Sequence, residues 1–256
     1  VLCCKATEEG KNCDEQQKFG KQVESIAFEL LEYLPQLREI LSEDIDAILR
    51  GDPASVSKRE IVLAYPGLQA VSVYRIANFL HKRNVPLLPR IMTEYMHSKT
   101  GIDIHPGVSI GKGFMMDHGT GIVIGETAII GDDCMLYHGV TLGGTTWDKV
   151  KRHPTLKNGV VIGAGAKILG PVTLGENVRV GSNSVVVRSI EDNETVVGIP
   201  GRIVRQKAED GDSFDSYAAN SSGTSNDPTI QAVNSLIERL SEMEKRLEKV
   251  NASKIE

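Results

Sequence analysis

The sequence has 256 residues, of which 40% are hydrophobic and 25% are charged, and its formal net charge is −5. This composition is ordinary for a soluble globular protein of one or two domains, and the acidic balance gives no reason to expect nucleic acid as a partner. No apolar run approaches the ~20 residues that a membrane span needs, and no secretory signal pattern opens the chain. Together with four cysteines that match no zinc pattern, these features predict a cytoplasmic protein in a reducing compartment.

The first part of the chain is predicted to be helical after a short leader. Residues 1–20 are polar and are expected to be loose. From Val23 onwards apolar residues recur at helical spacing, until Gly51-Asp52-Pro53 ends the run. Residues 21–101 are therefore predicted to form a helical domain. Its further helices are expected at residues 57–65, 67–83 and 87–99.

Residues 102–205 carry a six-residue repeat. Glycine often follows the first residue of each hexad, and a small or apolar residue stands four positions after it. This is the hexapeptide signature of a β-helix, in which the aliphatic first residue points inward. A sandwich of short strands would need period-two alternation and hairpin dipeptides, and the only Asn-Gly pair is Asn158-Gly159. The hexads begin at Ile104, Ile110, Met116, Ile124, Ile130, Leu136, Leu142, Ile162, Ile168, Leu174, Val180 and Val186.

Two places break the period. Met116–Ile124 contains two extra residues at Gly119-Thr120-Gly121, and Leu142–Ile162 contains a long insertion. Interruptions of a solenoid form loops on one face, which is often the binding face. We call the two extra residues at Gly119-Thr120-Gly121 the slip and the long insertion the long loop. We therefore expect the slip and the long loop to lie on the same flank of the coil.

The end of the chain is predicted to be a linker followed by a helix. Residues 206–228 are rich in Ser, Asp, Ala and Gly, which is typical of a flexible linker. Residues 229–251 have apolar residues alternately three and four apart, which makes a heptad seam of about three repeats. The segment fits either a coiled coil on an oligomeric body or an amphipathic helix docked on its own chain.

His118 is the strongest candidate for a catalytic side chain. Asp117 stands beside it, Asp103 lies about one coil earlier, and two nearby glycines leave room for a substrate. A coil of three hexads, corrected for the slip, places His138 directly over His118. An imidazole held by a carboxylate is a general base that can deprotonate a hydroxyl as it attacks an acyl carbon. No Ser or Cys nucleophile stands in an elbow motif, so direct transfer is favoured over a covalent intermediate.

Seven motifs carry a resemblance to a known family. They are Asp103-Ile-His-Pro-Gly, Met116-Asp-His-Gly-Thr-Gly-Ile-Val-Ile-Gly-Glu-Thr, Gly139-Val-Thr-Leu-Gly-Gly, Arg152-His-Pro, Val161-Ile-Gly-Ala-Gly-Ala-Lys-Ile-Leu-Gly, Gly51-Asp-Pro-Ala and Leu68-Gln-Ala-Val-Ser-Val-Tyr-Arg-Ile-Ala. These motifs, over roughly residues 45–205, resemble the serine O-acetyltransferases, hexapeptide-repeat acyltransferases of cysteine biosynthesis. The resemblance implies an α+β chain: an N-terminal helical domain, then a left-handed parallel β-helix of hexapeptide repeats, then a C-terminal coiled-coil-like helix.

The resemblance also implies a reaction and its residues. Acetyl would pass from acetyl-CoA to the L-serine hydroxyl without a metal, with His118 as base and Asp103 as its orienting partner. Carboxylates suit the substrate ammonium and a guanidinium suits its carboxylate, while an imidazole would position the substrate or support the oxyanion. The implied substrate-binding residues are Asp52, Asp117, Arg152 and His153. The implied CoA-binding residues are Gly144, Ala164, Gly165, Gly181, Ser182 and Lys167.

Members of this family form trimers with active sites between subunits, often paired into hexamers through their helical domains. A homotrimer or a dimer of trimers is therefore expected here. Many members also bind O-acetylserine sulfhydrylase through a C-terminal tail that ends in Ile, so the resemblance implies this partner as well. The chain differs from that pattern, because it ends in Lys254-Ile255-Glu256 after the heptad segment.

Three other interpretations stay open. A hexapeptide acetyltransferase can act on another hydroxyl or amine, such as homoserine or a sugar. A metal-dependent hydratase of the same fold would use His105, His118 and His138 as zinc ligands across subunits. A non-enzymatic scaffold would account for the heptad segment. Asp52 and Arg152, which suit an amino-acid substrate, favour serine O-acetyl transfer over these.

Overall fold

The computed structural model describes residues 13–204 and the isolated positions Ser235, Arg239 and Met243. The predicted linker at 206–228 and the predicted helix at 229–251 lie outside the described residues, apart from those three positions, which are helical. Across the described part of the chain, no helix is both long enough and apolar enough to cross a membrane.

Four helices precede the strands. They are α1 (Cys13–Gly51), α2 (Lys58–Ala64), α3 (Pro66–Lys82) and α4 (Leu88–Thr100). The prediction of a loose leader as far as residue 20 is wrong from Cys13 onwards. The residues that follow Cys13 include good helix formers such as Glu, Gln and Lys, and each residue added to an existing helix gains a hydrogen bond without a new nucleation cost.

Local sequence determines where the shorter helices begin and end. The hydroxyl of Ser57 caps α2 by accepting a hydrogen bond from the Glu60 N–H. Pro66 occupies the first turn of α3, where its missing N–H costs nothing. Gly101 ends α4 in the left-handed conformation with φ 70°. The three predicted helices after Pro53 are therefore confirmed to within one residue at each end.

The strands form a three-sided parallel coil. Sheet A contains β1, β4, β7, β10 and β13, sheet B contains β2, β5, β8 and β11, and sheet C contains β3, β6, β9, β12, β14 and β15. Only the final pair, β14 with β15, is antiparallel in these sheets. The strands are β1 (Asp103–Ile104), β2 (Ser109–Ile110), β3 (Met115–Asp117), β4 (Val123–Ile124), β5 (Ile129–Ile130), β6 (Met135–Tyr137), β7 (Thr141–Gly143), β8 (Thr155–Leu156), β9 (Val161–Ile162), β10 (Lys167–Leu169), β11 (Thr173–Leu174), β12 (Arg179–Val180), β13 (Val185–Val186), β14 (Thr195–Val197) and β15 (Arg202–Val204).

The aliphatic hexad residues fill the inside of this coil, as predicted. Every predicted first residue except Ile110 is buried. Leu156 is a further one that the sequence analysis missed; it is 1% exposed in β8 and lies one hexad before Ile162. The long insertion therefore ends at β8. The helices share the same core, since Ile48 and Leu68 belong to one buried cluster with the coil interior.

Each turn of the coil has three corners, which we name by the sheets they join. The slip between β3 and β4 lies at the C–A corner, whereas the long loop between β7 and β8 lies at the A–B corner. The prediction that both fall on one flank is wrong. Each corner recurs once in three hexads, so two interruptions share a flank only when the hexads before them occupy the same place in the coil.

A buried ion pair joins the helices to the coil. Asp44 of α1 and Arg75 of α3 are 0% and 5% exposed, and Arg75 Nε and Nη2 each lie 2.9 Å from an Asp44 oxygen. Arg75 also donates to the carbonyl of Gly111 at 2.7 Å, and the Phe114 N–H donates to Asp44 at 2.9 Å. Every charge of the pair is thus hydrogen-bonded across the junction, which fixes the helices on the coil.

Candidate active site

The first group of candidate side chains lies at the C–A corner. Asp117 ends β3, and His118 follows it in the left-handed conformation with φ 58°, which is uncommon for a residue other than glycine. The Nε2 atom of His118 lies 3.6 Å from Asp117 Oδ2. The two side chains therefore face each other at the start of the slip.

The coil stacks a second histidine over the first. β3 and β6 pair in parallel with Asp117 opposite Tyr137. The rings of His118 and His138 consequently make an edge contact, with their centroids 5.5 Å apart. This confirms the predicted register of His138 over His118.

The end of α1 brings Asp52 to the same corner. A Cβ on Gly51 would lie 2.5 Å from Met115 Sδ, and a Cβ on Gly67 would lie 2.6 Å from the Met116 carbonyl oxygen. Glycine at these two positions therefore permits the close approach of α1 and α3 to β3. The result is that a loop of the helical part lies directly against the strand that carries Asp117.

Asp52 is held in place by hydrogen bonds from Tyr65 and Ala54. Tyr65 Oη donates to Asp52 Oδ2 at 2.6 Å, and the Ala54 N–H donates to Asp52 Oδ1 at 2.8 Å. The hydrogen bond to Asp52 raises the pKa of Tyr65 to about 12. Tyr65 is a site residue that the sequence analysis missed, because a tyrosine before Pro66 also fits an ordinary helix start.

The electrostatics of the C–A corner are acidic. Burial raises the pKa of Asp117, and the neighbouring Asp52 carboxylate raises it further, while the positive form of His118 lowers it. Two carboxylates at one corner disfavour each other's ionised form unless a cation lies between them. The arrangement suits a substrate that presents an ammonium group.

Asp103 follows the turn directly below the slip, since the Asp103 N–H donates to the Ile122 carbonyl at 2.9 Å and the Gly121 N–H donates to the Gly101 carbonyl at 2.8 Å. It begins β1 in sheet A, and no hydrogen bond or ion pair joins it to His118 within residues 13–204. The carboxylate that faces the His118 ring is that of Asp117. The Asp103 carboxylate lies near Glu94 and His97 of α4.

A set of ligand-type side chains surrounds Asp103. Glu94, His97 and Asp103 have ligand atoms that all lie within 4.8 Å of one another, and this is the one such set among the described residues. Glu94 and His97 are exposed, and the Glu94 carboxylate also accepts from Arg90 Nη2 at 2.5 Å. The set could hold a divalent ion only in competition with that guanidinium.

The second group of candidates lies at the A–B corner, where the long loop returns to the coil. Arg152 Nη2 donates to Glu126 Oε2 at 2.7 Å. The Thr127 hydroxyl oxygen accepts the backbone N–H groups of Arg152 and His153, both at 3.1 Å. Glu126 and Thr127 were not identified as site residues from sequence, although they follow Gly125 in one of the family motifs.

His153 packs against the coil at Gly125. It is 7% exposed, and a Cβ on Gly125 would lie 2.1 Å from two of its ring atoms. Burial lowers the pKa of His153, and the nearby Arg152 lowers it further. His105 also lies at this corner, away from His118 and His138 of the same chain, so a zinc site of these three histidines would need a second copy.

The two groups do not meet within one chain. No hydrogen bond, ion pair or ring contact among residues 13–204 joins His118 to Arg152 or His153. The C–A and A–B corners lie at opposite ends of the sheet A strands. A shared flank for the slip and the long loop would have brought Arg152 to Asp117, and the structure separates these two residues within a single chain.

Most of the predicted CoA residues form a column above His138. The turns of the C–A corner are joined by backbone hydrogen bonds from Gly165 N–H to the His138 carbonyl and from Asn183 N–H to the Ala164 carbonyl, at 2.9 and 2.8 Å. Gly181 and Ser182 lie in the upper turn of this column, between β12 and β13. Small residues thus stack along this corner, and the glycines permit close packing of successive turns, since a Cβ on Gly181 would lie 2.8 Å from Val197 Cγ1.

Two further predicted CoA residues lie on either side of sheet A. The Lys167 ammonium donates to the Gly139 carbonyl, so it lies at the C–A column. Gly144 lies instead beside the long loop, where a Cβ would be 3.2 Å from Arg152 Cγ. The structure therefore groups Lys167 with His118 and groups Gly144 with Arg152.

Comparisons with known proteins identify the family of this chain. A family model described as bacterial transferase hexapeptide (six repeats) matches residues 153–188. The serine acetyltransferase of Synechococcus elongatus is 44% identical over 211 residues, 82% of this chain and 84% of that protein. The serine acetyltransferase of Helicobacter pylori is 49% identical over 164 residues, 64% of this chain and 96% of that protein. The structure of soybean serine acetyltransferase complexed with serine matches with a TM-score of 0.67 at 39% identity, over 70% of this chain and 74% of that chain. The chain therefore belongs to the serine acetyltransferase family.

Proposed function

We propose that the chain transfers acetyl directly from acetyl-CoA to the hydroxyl of L-serine, which gives O-acetylserine and CoA. The proposal rests on the geometry of the C–A corner. There His118 stands 3.6 Å from Asp117, with the anchored Asp52 beside them. A base next to two carboxylates suits an amino acid whose hydroxyl must lose a proton, and the column of small residues suits a long CoA arm.

The chemistry requires one proton to move twice. A ring nitrogen of His118 takes the hydroxyl proton as the serine oxygen bonds to the acetyl carbonyl carbon. The tetrahedral intermediate then collapses, the carbon–sulfur bond breaks, and the CoA thiolate takes the proton from the imidazolium. Asp117 stabilises the imidazolium between these steps. The family resemblance gives the orienting role to Asp103, but the geometry of the single chain favours Asp117.

A second copy of the chain would complete the substrate site. Arg152 and His153 lie at the A–B corner, away from His118. In a closed ring of three copies the A–B corner of one copy can meet the C–A corner of the next, which brings a guanidinium to the serine carboxylate. A homotrimer, or a dimer of trimers through the helices, is therefore part of the proposal.

The CoA arm is proposed to run along the C–A column, with the thioester next to His118. Ala164, Gly165, Gly181 and Ser182 would allow close backbone contact, and the Lys167 ammonium would face the arm. Gly144 would contribute from the long loop. The binding partner O-acetylserine sulfhydrylase and a cytoplasmic location stay predictions from the sequence.

Asp52→Asn is expected to raise KM for L-serine about 10–100-fold, because it removes one charge-assisted interaction with the ammonium. KM for acetyl-CoA should change little. Steady-state kinetics with each substrate varied in turn measure both values. Asp46→Asn is the matched control, since Asp46 is a carboxylate of α1 close before Asp52 and, among the described residues, pairs only with Lys58 at 2.5 Å. Equal effects of the two variants on KM for serine would remove Asp52 from the site.

The acceptor is tested by acetyl-CoA turnover across L-serine, L-homoserine and sugars at matched concentrations. The proposal predicts that kcat/KM is highest for L-serine. Turnover with a sugar or amine and none with L-serine would assign the chain to another hexapeptide acetyltransferase activity. No turnover with any acceptor would favour the scaffold interpretation.

A further inference from the structure

Thr127 is the point at which the long loop is fastened to the coil beside His153. It lies between β4 and β5, and its hydroxyl oxygen accepts the N–H groups of Arg152 and His153. Its own carbonyl accepts a hydrogen bond from Lys151 Nζ at 2.5 Å. Backbone and side chain of one residue thus bind three consecutive residues of the loop.

The same residue also determines which nitrogen of His153 carries the proton. The Thr127 backbone N–H donates to His153 Nδ1 at 3.1 Å, and Thr127 Oγ1 lies 2.9 Å from the same nitrogen. A backbone N–H can only donate, so Nδ1 must offer its lone pair. The proton of the neutral ring is therefore on Nε2.

The hydroxyl of Thr127 adds to this constraint. Its oxygen already accepts two backbone N–H groups, and its hydrogen then has His153 Nδ1 as acceptor. A proton on Nδ1 would be repelled by the hydrogens of both Thr127 donors. This disfavours the Nδ1–H tautomer and the imidazolium. The Nε2 atom makes no hydrogen bond within the described residues, so its proton is available to a ligand.

The charged groups around His153 come from three parts of the chain. Arg152 and Lys151 flank it on the loop, Glu126 lies on the turn after β4, and His105 lies on the turn after β1. Burial is the largest influence and lowers the pKa of His153; Arg152, Lys151 and His105 act in the same direction, and Glu126 opposes them. Geometry and electrostatics therefore both favour a neutral ring.

We propose that Thr127 is a positioning residue that holds His153 as a neutral hydrogen-bond donor through Nε2. The inference rests on the proposed acetyl transfer, in which this donor would bind the substrate carboxylate or the oxyanion. It also gives His118 and His153 different roles. His118 accepts the proton of the reaction, and His153 keeps its own.

Thr127→Val and Thr127→Ser test the proposal in the full-length protein. Valine has nearly the shape of threonine but lacks the hydroxyl, whereas serine keeps it. Nitrogen-15 NMR of histidine-labelled protein, with the His153 signals assigned by His153→Gln, reports tautomer and charge directly. We expect neutral Nε2–H in the wild type and in Thr127→Ser at pH 7. Thr127→Val keeps the backbone N–H but loses the hydroxyl, which is a second donor to Nδ1 and the acceptor that fastens the loop. In this variant we expect the Nδ1–H form to appear as a minor tautomer and the His153 pKa to shift towards the ordinary value of about 6.5.

Kinetics provide the second measurement. Thr127→Val should lower kcat for acetyl transfer about tenfold or more, as expected when an oriented donor is lost, with KM for acetyl-CoA unchanged. Thr127→Ser should restore most of kcat.

A charged or Nδ1–H His153 in the wild type would overturn the proposal even if Thr127→Val fails to fold. So would a valine variant that keeps both the wild-type tautomer and kcat. The NMR result does not depend on turnover, so a change of tautomer without any serine activity would refute the proposed function and leave this inference standing.

Discussion

His118→Asn is expected to lower kcat for acetyl transfer about 10²–10⁴-fold, the range for loss of a general base. Asparagine is the suitable replacement because His118 has φ 58°, a conformation that asparagine tolerates and alanine does not. KM for acetyl-CoA and the mass of the assembly should stay the same. Steady-state kinetics and light scattering measure these quantities.

The control for this variant is Asp133→Asn. Asp133 also occupies a left-handed turn of the coil, with φ 53°, but between sheets B and C. Both variants place the same side chain at the same kind of turn, so a general effect of the turn would reduce both activities. Unchanged turnover in His118→Asn would remove His118 from the role of base. Equal losses in both variants would attribute the effect to the fold.

Asp44→Ala is expected to lower the free energy of unfolding by about 3–5 kcal/mol, because it leaves the Arg75 guanidinium buried without its partner. The variant also removes the acceptor of the Phe114 N–H, at the junction of α1, α3 and the coil. Denaturant unfolding at fixed protein concentration measures the change. Fluorescence and circular dichroism should agree on its midpoint.

Glu43→Gln is the matched control for Asp44→Ala. Glu43 precedes Asp44 on α1 and pairs with Lys112 of the coil at 3.0 Å, but both side chains are about half exposed. Exposed pairs of this kind contribute ~0–1 kcal/mol. If the two variants destabilise the protein equally, the buried pair does not fix the helices on the coil.

The repeat allowed the coil to be predicted closely, because a six-residue period with inward aliphatic residues has one structural solution. Leu156 was missed since the loop before it hides the return of the period, and a strand of two residues has no pattern of its own. The start of α1 was missed for a different reason. Polar residues after Cys13 resemble a loose leader in isolation, but they extend a helix that is stabilised further along the chain.

The site was predicted in its residue types more than in its arrangement. The register of His118 under His138 follows from counting residues in the coil, and it was confirmed. The separation of His118 from Arg152 also follows from counting hexads in threes, because the hexads before the slip and before the long loop belong to different sheets. Tyr65 and Thr127 could not be found in this way, because their importance lies in contacts between segments distant in the chain.

Mixing two inactive variants tests whether the C–A corner of one copy works with the A–B corner of another. His118→Asn lacks the base, and Arg152→Met lacks the guanidinium that would bind the carboxylate. If they are co-expressed in equal amounts and assemble at random in closed trimers, about one interface in four joins an intact His118 to an intact Arg152. We expect the mixture to recover about a quarter of wild-type kcat with L-serine. A mixture no more active than the two variants measured separately would contradict it.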